Sequence, residues 1–295
     1  MAKRGVAFGA AAYVLWGLFP LYWPLLKPAG SVEILAHRIM WSLVAVGVVV
    51  LAARRNLDWI RALTVRHGVL LALAALVITA NWGTYIYAVN SGQTIEAALG
   101  YFINPLISVL FGVVIFRERL RTWQWAAVGM GTLAVVVLTV DYGRPPWIAL
   151  VLAFAFGTYG LLKKFADMPS AEGLAVETAV VFLPALGFVL MLEGQGEGTF
   201  GHEGVGQALL LALAGVVTAV PMMLFNAAAI RLPLTVIGML QYLAPVLQFV
   251  IGVFVQHEEM PPSRWAGFLL VWFALVMLTW DGLYSARREA LPDAV

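Results

Sequence analysis

The feature that most constrains this chain is a series of apolar segments, each about as long as a membrane-crossing helix. Apolar and aromatic residues make up 62% of the 295 residues and charged residues only 12%, whereas a soluble domain carries about 25%. A helix needs about 20 apolar residues to cross a bilayer, and charged or Gly/Pro-rich breaks separate ten such segments. The sequence therefore predicts an all-α integral membrane protein with ten transmembrane helices. The predicted spans are 5–26, 31–53, 68–89, 95–116, 123–140, 147–162, 170–192, 205–230, 234–255 and 262–284.

Basic residues in the breaks predict the orientation, because Lys and Arg are retained on the cytoplasmic side of a membrane. With the amino terminus inside, fourteen basic residues fall in cytoplasmic breaks and three in outer breaks. The sequence therefore predicts that both termini are cytoplasmic. Residues 56–67 form an amphipathic stretch that we expect on the inner membrane surface.

An internal repeat relates the two halves of the chain. A shift of 140 residues superposes polar and structural residues that chance similarity between apolar helices would rarely match. The matched pairs include Pro105 with Pro245, Gly112 with Gly252, Glu118 with Glu258 and Asp141 with Asp281. Five spans are an odd number, so the second half enters the membrane from the opposite side. The sequence predicts one membrane domain of two inverted five-helix repeats, 1–141 and 142–295, with a substrate site between them. Convergence of hydrophobic helices is the alternative.

Polar side chains inside the spans are candidate binding residues, because a charge in hydrocarbon needs a partner or a wet cavity. Arg38 lies roughly 10 Å below the outer end of its helix, which is too deep for easy contact with water. It could hold a substrate carboxylate through two parallel hydrogen bonds, or pair structurally with Glu33, Glu96 or a helix end. His37 shares a helix face with Glu33 and is a second candidate.

The fourth span presents a polar stripe in which Glu96, Gly100 and Asn104 follow one another at intervals of four residues. Pro105 removes a backbone hydrogen bond one turn away, and Pro245 repeats the feature in the ninth span. Paired discontinuities indicate a transport site, although a packing kink would give the same pattern. The predicted hinge or gate residues are Gly100, Pro105, Gly112 and Pro245.

Other polar and aromatic residues could line a pocket for an amphipathic ligand. Aromatic residues also form belts at membrane interfaces, and amides also join helices. Glu177 occupies the repeat position of His37, and a buried carboxylate suits either proton coupling or an ion pair. The remaining candidate binding residues are Trp16, Asn81, Tyr85, Tyr101, Tyr159, Asn226, Gln241 and Tyr242.

Several classes of chemistry lack their sequence signatures. There is no cysteine, the four histidines are scattered, and no Gly-rich phosphate loop is present. The net charge of +2 gives no indication of nucleic-acid binding. The sequence therefore predicts no enzyme, no cofactor or metal, no ATP use and no nucleic-acid partner.

The motifs resemble those of bacterial RarD-type transporters of the EamA group, in the drug/metabolite transporter superfamily. The resemblance runs nearly end to end and covers the stretch from Glu33 through Arg38 to Ser42, Asn81-Trp82 with Asn90, the stretch from Glu96 to Pro105, Glu118-Arg119, Gln124-Trp125, Tyr159-Gly160, Glu177-Thr178 and residues 217–242. It implies two inverted five-helix repeats, a central cavity, location in the inner membrane and alternating access without ATP.

The expected activity is export of a small zwitterion such as an amino acid. Arg38 would bind the carboxylate, Glu96 or Glu177 the ammonium group, and Trp16 with Tyr85 an apolar side chain. One alternative is a permease for neutral amphipathic drugs or metabolites such as chloramphenicol, and another is an intramembrane enzyme or scaffold without flux. The expected partners are the substrate and membrane lipids; a monomer is the working expectation and proton coupling is left open.

Overall fold

The computed structural model describes the backbone of residues 2–52, 63–168 and 170–289. Within these ranges ten segments are helical, long and apolar enough to cross a membrane, which confirms the predicted all-α membrane architecture. The predicted surface segment 56–67 lies largely outside the described residues. The helices are α1 (Ala2–Gly17), α2 (Phe19–Tyr22), a 3₁₀ helix (Trp23–Leu26), α3 (Ser31–Ala52), α4 (Val65–Asn90), α5 (Thr94–Phe116), α6 (Thr122–Tyr142), α7 (Trp147–Ala166), α8 (Ser170–Gln195), α9 (Val205–Ala229), α10 (Leu234–Leu240), α11 (Leu243–Phe254) and α12 (Pro262–Glu289).

Two spans are interrupted, and one of them was not predicted. The ninth span breaks at Gln241 and Tyr242, so that Pro245 lies in the first turn of α11, where a missing N–H costs little. The first span breaks at Leu18, just before Pro20. At Pro105, by contrast, α5 continues without interruption, and the role of this residue as a hinge stays a prediction. A single proline removes one hydrogen bond, and a helix packed on several neighbours tolerates that loss.

The repeats are inverted, because equivalent helices run antiparallel. The helices α6 and α12 pack extensively along their lengths. At one end Arg264 Nε lies 2.9 Å from a carboxylate oxygen of Asp141, and at the other Arg121 Nη1 lies 3.4 Å from one of Asp281. The end of each helix therefore meets the start of the other. The boundary predicted between residues 141 and 142 falls in the last turn of α6 and stays a prediction.

Close helix contacts also recur at the repeat interval. A Cβ atom added to Gly17 would lie 2.7 Å from Leu247 Cβ, and one added to Gly157 would lie 3.0 Å from Ile107 Cγ2. Both the glycines and their neighbours are 140 residues apart in sequence. Gly17 thus allows α1 to pack closely on α11, and Gly157 allows α7 to pack closely on α5.

Successive spans alternate in direction, so the bundle has two ends, which we call the Glu33 end and the Lys163 end. Hydrogen bonds between the repeats join them at the Glu33 end. The Glu33 carboxylate accepts the Thr199 N–H at 2.7 Å, and Glu258 accepts the Thr94 N–H at 2.6 Å at the start of α5. Burial raises the pKa of Glu258, which lies between two spans, although these backbone donors favour its charged form.

Candidate binding site

Arg38 projects from the second turn of α3 into a core cluster formed by α1–α5, the 3₁₀ helix, α7 and α9. Its side chain is buried, and the residue is 3% exposed. Its Nε donates a 2.9 Å hydrogen bond to Thr218 Oγ1 on α9. The guanidinium carbon lies 4.1 Å from the centroid of the Trp82 ring and 5.1 Å from that of Trp23. Together with Tyr85, these residues form what we call the Arg38 site.

Arg38 makes no ion pair with a carboxylate among the residues that the structure describes. The structural alternatives considered from the sequence, pairing with Glu33 or Glu96, are therefore not realised. Glu33 Oε1 accepts the Thr199 N–H and hydroxyl at 2.7 and 2.9 Å instead. A cation buried without an anion is costly in a membrane protein. A bound anion would therefore stabilise the site.

Glu96 is held at the Glu33 end of the bundle rather than left available to a ligand. Its Oε2 lies 2.8 Å from Arg144 Nη2, and its Oε1 accepts the Ile148 N–H at 3.0 Å at the start of α7. The residue is 2% exposed. Both carboxylate oxygens thus join the start of α7 to α5, and this arrangement leaves Glu96 as a structural residue in the conformation described.

Two tyrosines and an asparagine complete the wall beside Arg38. Tyr101 donates a 3.2 Å hydrogen bond to Asn81 Oδ1, and Asn81 Nδ2 donates one of 3.0 Å to the Leu152 carbonyl on α7. The Tyr85 and Tyr101 rings meet edge to face with centroids 5.7 Å apart. The Tyr85 hydroxyl is buried and has no hydrogen-bond partner in the described part of the chain. It is therefore a polar group that a ligand could satisfy.

His37 faces a different neighbour from Arg38. Its ring stacks on Phe200 with centroids 4.8 Å apart, and neither ring nitrogen finds a partner among the residues described. Phe200 belongs to the loop between α8 and α9, which Glu33 holds through Thr199. His37 is consequently covered by this loop, and its side chain leaves α3 about 100° around the helix from that of Arg38.

Glu177 lies in a buried ion pair at the Lys163 end. Lys163 Nζ is 2.7 Å from one Glu177 oxygen, and the Tyr159 hydroxyl donates to the other at 3.0 Å. At the repeat interval of 140 residues, Lys163 corresponds to Trp23, Glu177 to His37 and Tyr159 to Phe19. Lys163 and Tyr159 therefore occupy the positions that two aromatic neighbours of Arg38 hold in the other repeat.

Four other predicted residues make no hydrogen bond or ring contact with Arg38 within the described ranges. Trp16 is half-buried and packs on Tyr13 with ring centroids 5.3 Å apart. Asn104 is half-buried near Gly157, and its Oδ1 has no partner within the described ranges. Asn226 is half-buried on α9, and Gln241 lies at the break before α11. Their roles in binding stay predictions.

Tyr242 lines a cavity of about 330 Å³ between α5, the α10–α11 break and α12. Phe102, Met239 and Trp272 are among the other lining residues, and the wall is almost entirely apolar. The cavity shares no residue with the Arg38 site, and the central cavity that the family resemblance implies stays a prediction.

The predicted hinge glycines serve close packing. A Cβ atom on Gly100 would lie 2.8 Å from the Ala149 carbonyl oxygen of α7. One on Gly112 would lie 2.7 Å from Glu118 Oε2, in the segment that follows its own helix. Gly112 therefore makes room for a side chain after the end of α5 rather than for a neighbouring helix, and its role as a gate stays a prediction.

Sequence reasoning identified Tyr85, Asn81 and Tyr101 but did not find the other residues that surround Arg38. Trp82 and Thr218 both lay in motifs that carried the family resemblance, but no local spacing connected them with Arg38. Thr218 is 180 residues away in sequence, and Trp23 follows the unpredicted break of the first span. The pair Trp23-Pro24, near the end of the predicted span 5–26, was the sequence feature that could have drawn attention to Trp23.

Comparison with known proteins identifies the family. The EamA-like transporter family model matches residues 3–140 and again 145–280. The chain is 60% identical over 289 residues to a protein named Protein RarD from Streptomyces exfoliatus, covering 97% of this chain and 91% of that protein. It is 35% identical over 290 residues to Protein RarD from Escherichia coli strain K12, covering 98% of each.

A more distant relative and a solved structure agree with this assignment. A Pseudomonas aeruginosa protein named chloramphenicol-sensitive protein RarD is 31% identical over 300 aligned residues, covering 98% of each chain. A crystal structure matches 95% of this chain and 98% of its own with a TM-score of 0.62 at 20% identity, which shows a shared fold. The chain therefore belongs to the EamA-like transporter family of the drug/metabolite transporter superfamily, and it is a multi-pass membrane transporter.

Proposed function

We propose that the protein is a secondary transporter of the bacterial inner membrane that exports small carboxylate-bearing metabolites, such as amino acids, by alternating access. The observation that carries the proposal is the buried Arg38 guanidinium, which has no carboxylate partner among the described residues. A substrate carboxylate would supply the missing charge. No cofactor, metal or ATP is needed for such a cycle, and a single chain surrounded by lipid would suffice.

The hydrogen bonding of Arg38 favours binding of a carboxylate through two parallel bonds. Thr218 takes the Nε–H, and this leaves the two Nη groups, whose four N–H donors lie in the plane of the guanidinium. Two parallel N–H···O bonds to one carboxylate fix its orientation as well as its position. The rings of Trp82 and Trp23 would then contact the apolar part of the substrate.

Alternating access follows from the inverted repeats. In this conformation, hydrogen bonds between the repeats close the Glu33 end, for example those from Thr94 to Glu258 and from Thr199 to Glu33. Exchange of the two repeats' conformations would open that end and close the other. The excess of basic residues in the breaks at the Lys163 end supports a cytoplasmic location for that end. Glu177, buried beside Lys163, is the residue through which a proton could be coupled.

A second candidate is a permease for neutral amphipathic compounds. It is favoured by the aromatic character of the Arg38 site and by the similarity to a protein whose name describes sensitivity to chloramphenicol. A neutral substrate would stack on the rings, and Arg38 would then serve to hold α3 and α9 together through Thr218.

Counterflow in proteoliposomes tests the proposal. Vesicles preloaded with unlabelled substrate are diluted into a trace of the same labelled compound, for a panel of amino acids, carboxylates without an ammonium group and chloramphenicol, with protein-free vesicles as the control. We expect transient accumulation of labelled carboxylate compounds. Accumulation of chloramphenicol alone would favour the second candidate, and accumulation of nothing in the panel would contradict the proposed cargo.

A further inference from the structure

The charges around Arg38 are the observation that narrows the substrate class. The titratable groups that act on the guanidinium from the facing helices are the phenols of Tyr85 on α4 and Tyr101 on α5. Both are neutral at physiological pH. The site therefore carries a net positive charge in the part of the chain that the structure describes, and a bound anion would make it neutral.

The two carboxylates expected to receive a substrate ammonium group already bind cations of the protein. Glu96 is 2.8 Å from Arg144 Nη2 and Glu177 is 2.7 Å from Lys163 Nζ. Each carboxylate also accepts a further hydrogen bond, from the Ile148 N–H and the Tyr159 hydroxyl respectively. A zwitterion at Arg38 would thus have a partner for its carboxylate but would set its ammonium group near another cation, without a carboxylate to offset it.

The polar atoms that lack partners at the site are mainly donors. Besides the Nη groups of Arg38, the Trp23 indole N–H is buried without an acceptor within the described ranges, and so is the Tyr85 hydroxyl. An indole N–H can only donate, and a hydroxyl can donate to an anion. Donors around a cation, between aromatic walls, match an oxyanion attached to an apolar body.

We infer that the substrate binds the Arg38 site as an amphipathic monocarboxylate anion whose nitrogen, where it has one, carries no positive charge. N-acylated amino acids, 2-oxo acids and aryl or branched-chain carboxylates belong to this class. The inference rests on the proposed function and narrows its substrate class. It separates these anions both from zwitterionic amino acids and from neutral amphipathic compounds.

The test compares three compounds with one common side chain in the same counterflow assay. N-acetylphenylalanine is a monoanion, phenylalanine is a zwitterion, and N-acetylphenylalanine amide is neutral. We expect exchange of N-acetylphenylalanine to be about tenfold or more faster than that of the other two at equal low concentration, as loss of charge-assisted hydrogen bonds or an uncompensated cation would produce. Arg38→Gln should abolish the preference for the acid over the amide. Arg231→Gln, the same substitution at an exposed position beyond α9, should leave it unchanged.

The outcomes separate the inference from the proposed function. Exchange of phenylalanine as fast as that of its N-acetyl form would overturn the inference and leave carboxylate transport standing. Equal exchange of the acid and the amide would overturn it in favour of neutral substrates. The inference also fails if none of the three compounds is exchanged while another amino acid is exchanged. Absence of counterflow for every compound would contradict the proposed function as well. Arg38→Lys keeps the positive charge and serves as a second variant in case Arg38→Gln does not fold. Slower exchange by Arg38→Lys with a retained preference for N-acetylphenylalanine over its amide supports the inference.

Discussion

The Arg38 guanidinium lies over the ring of Trp82, with 4.1 Å between the guanidinium carbon and the ring centroid. The two residues come from neighbouring helices of one repeat, α3 and α4. Such a cation–π contact contributes about 1–2 kcal/mol when it is shielded from water. Trp82 thus stabilises the cation in the absence of a carboxylate and orients it for one.

Substitution of Trp82 should therefore weaken substrate binding without removing it. We expect Trp82→Leu to raise the KM for counterflow by about five- to thirtyfold, since the cation–π contact is lost, and Trp82→Phe to raise it less. The measurement is the concentration dependence of initial counterflow rates in proteoliposomes. Equal KM values for the wild type and Trp82→Leu would show that the ring does not support the binding of substrate.

Gly215 should be intolerant of even a methyl group. A Cβ atom there would lie 2.2 Å from the backbone carbon of Trp41, and the backbone of α3 cannot give way as a flexible side chain could. We expect Gly215→Ala to lower stability by about 1–3 kcal/mol and to displace Thr218, one turn further along α9, from Arg38. Gly206→Ala on the same helix is the control, since nothing lies within 4 Å of its added Cβ. Thermal unfolding in detergent gives the comparison, and equal midpoints for both variants would contradict the close packing described.

The architecture could be predicted from the sequence because it depends on local properties. These properties are the span length, the apolar content and the 140-residue repeat. An error of several residues in the position of a helix end changes none of the conclusions drawn from them. The depth of Arg38 inside a span was equally visible, and it identified the centre of the site. The break at Gln241 could also be located approximately, because Pro245 cannot donate to the preceding turn.

The partners of the charged residues could not be predicted, because they are distant in sequence. Arg144 is 48 residues from Glu96, and the repeat gives no indication of their contact because the residue equivalent to Arg144 is Tyr284. The continuity of α5 through Pro105 depends on packing against α7 and α11, which is a tertiary property. A polar group or a proline inside a span thus has more than one interpretation until its neighbours in the fold are known.

The structural role of Glu96 gives a prediction that distinguishes it from an ammonium receptor. We expect Glu96→Gln to lower stability by about 1–3 kcal/mol, because a buried charge-assisted hydrogen bond to Arg144 is weakened. Counterflow per folded molecule should be retained. Glu203→Gln, at an exposed position before α9, is the control for loss of one negative charge. An unchanged melting midpoint together with lost amino-acid counterflow would assign Glu96 to the substrate instead.

Closure of the Glu33 end should be reversible during transport. Thr94 Oγ1 donates a hydrogen bond to Gln256 Oε1 across the two repeats, and the chain contains no cysteine. We expect cross-linking of a Thr94→Cys/Gln256→Cys variant with a short thiol-specific reagent to stop counterflow, because the end can no longer open. The same double variant without the reagent, and each single-cysteine variant treated with it, should retain counterflow. Full counterflow after complete cross-linking of the pair would contradict alternating access at this end.

The most direct test of the account is the counterflow rate of Arg38 variants, measured with a carboxylate substrate that the wild type exchanges. Arg38→Ala should lower the rate about 100-fold or more, and Arg38→Lys should recover only part of it, because a point charge cannot reproduce two parallel hydrogen bonds. Melting midpoints of the purified variants separate loss of binding from loss of folding. Wild-type rates in a folded Arg38→Ala variant would show that the buried guanidinium does not bind the substrate, and the central claim would then be wrong.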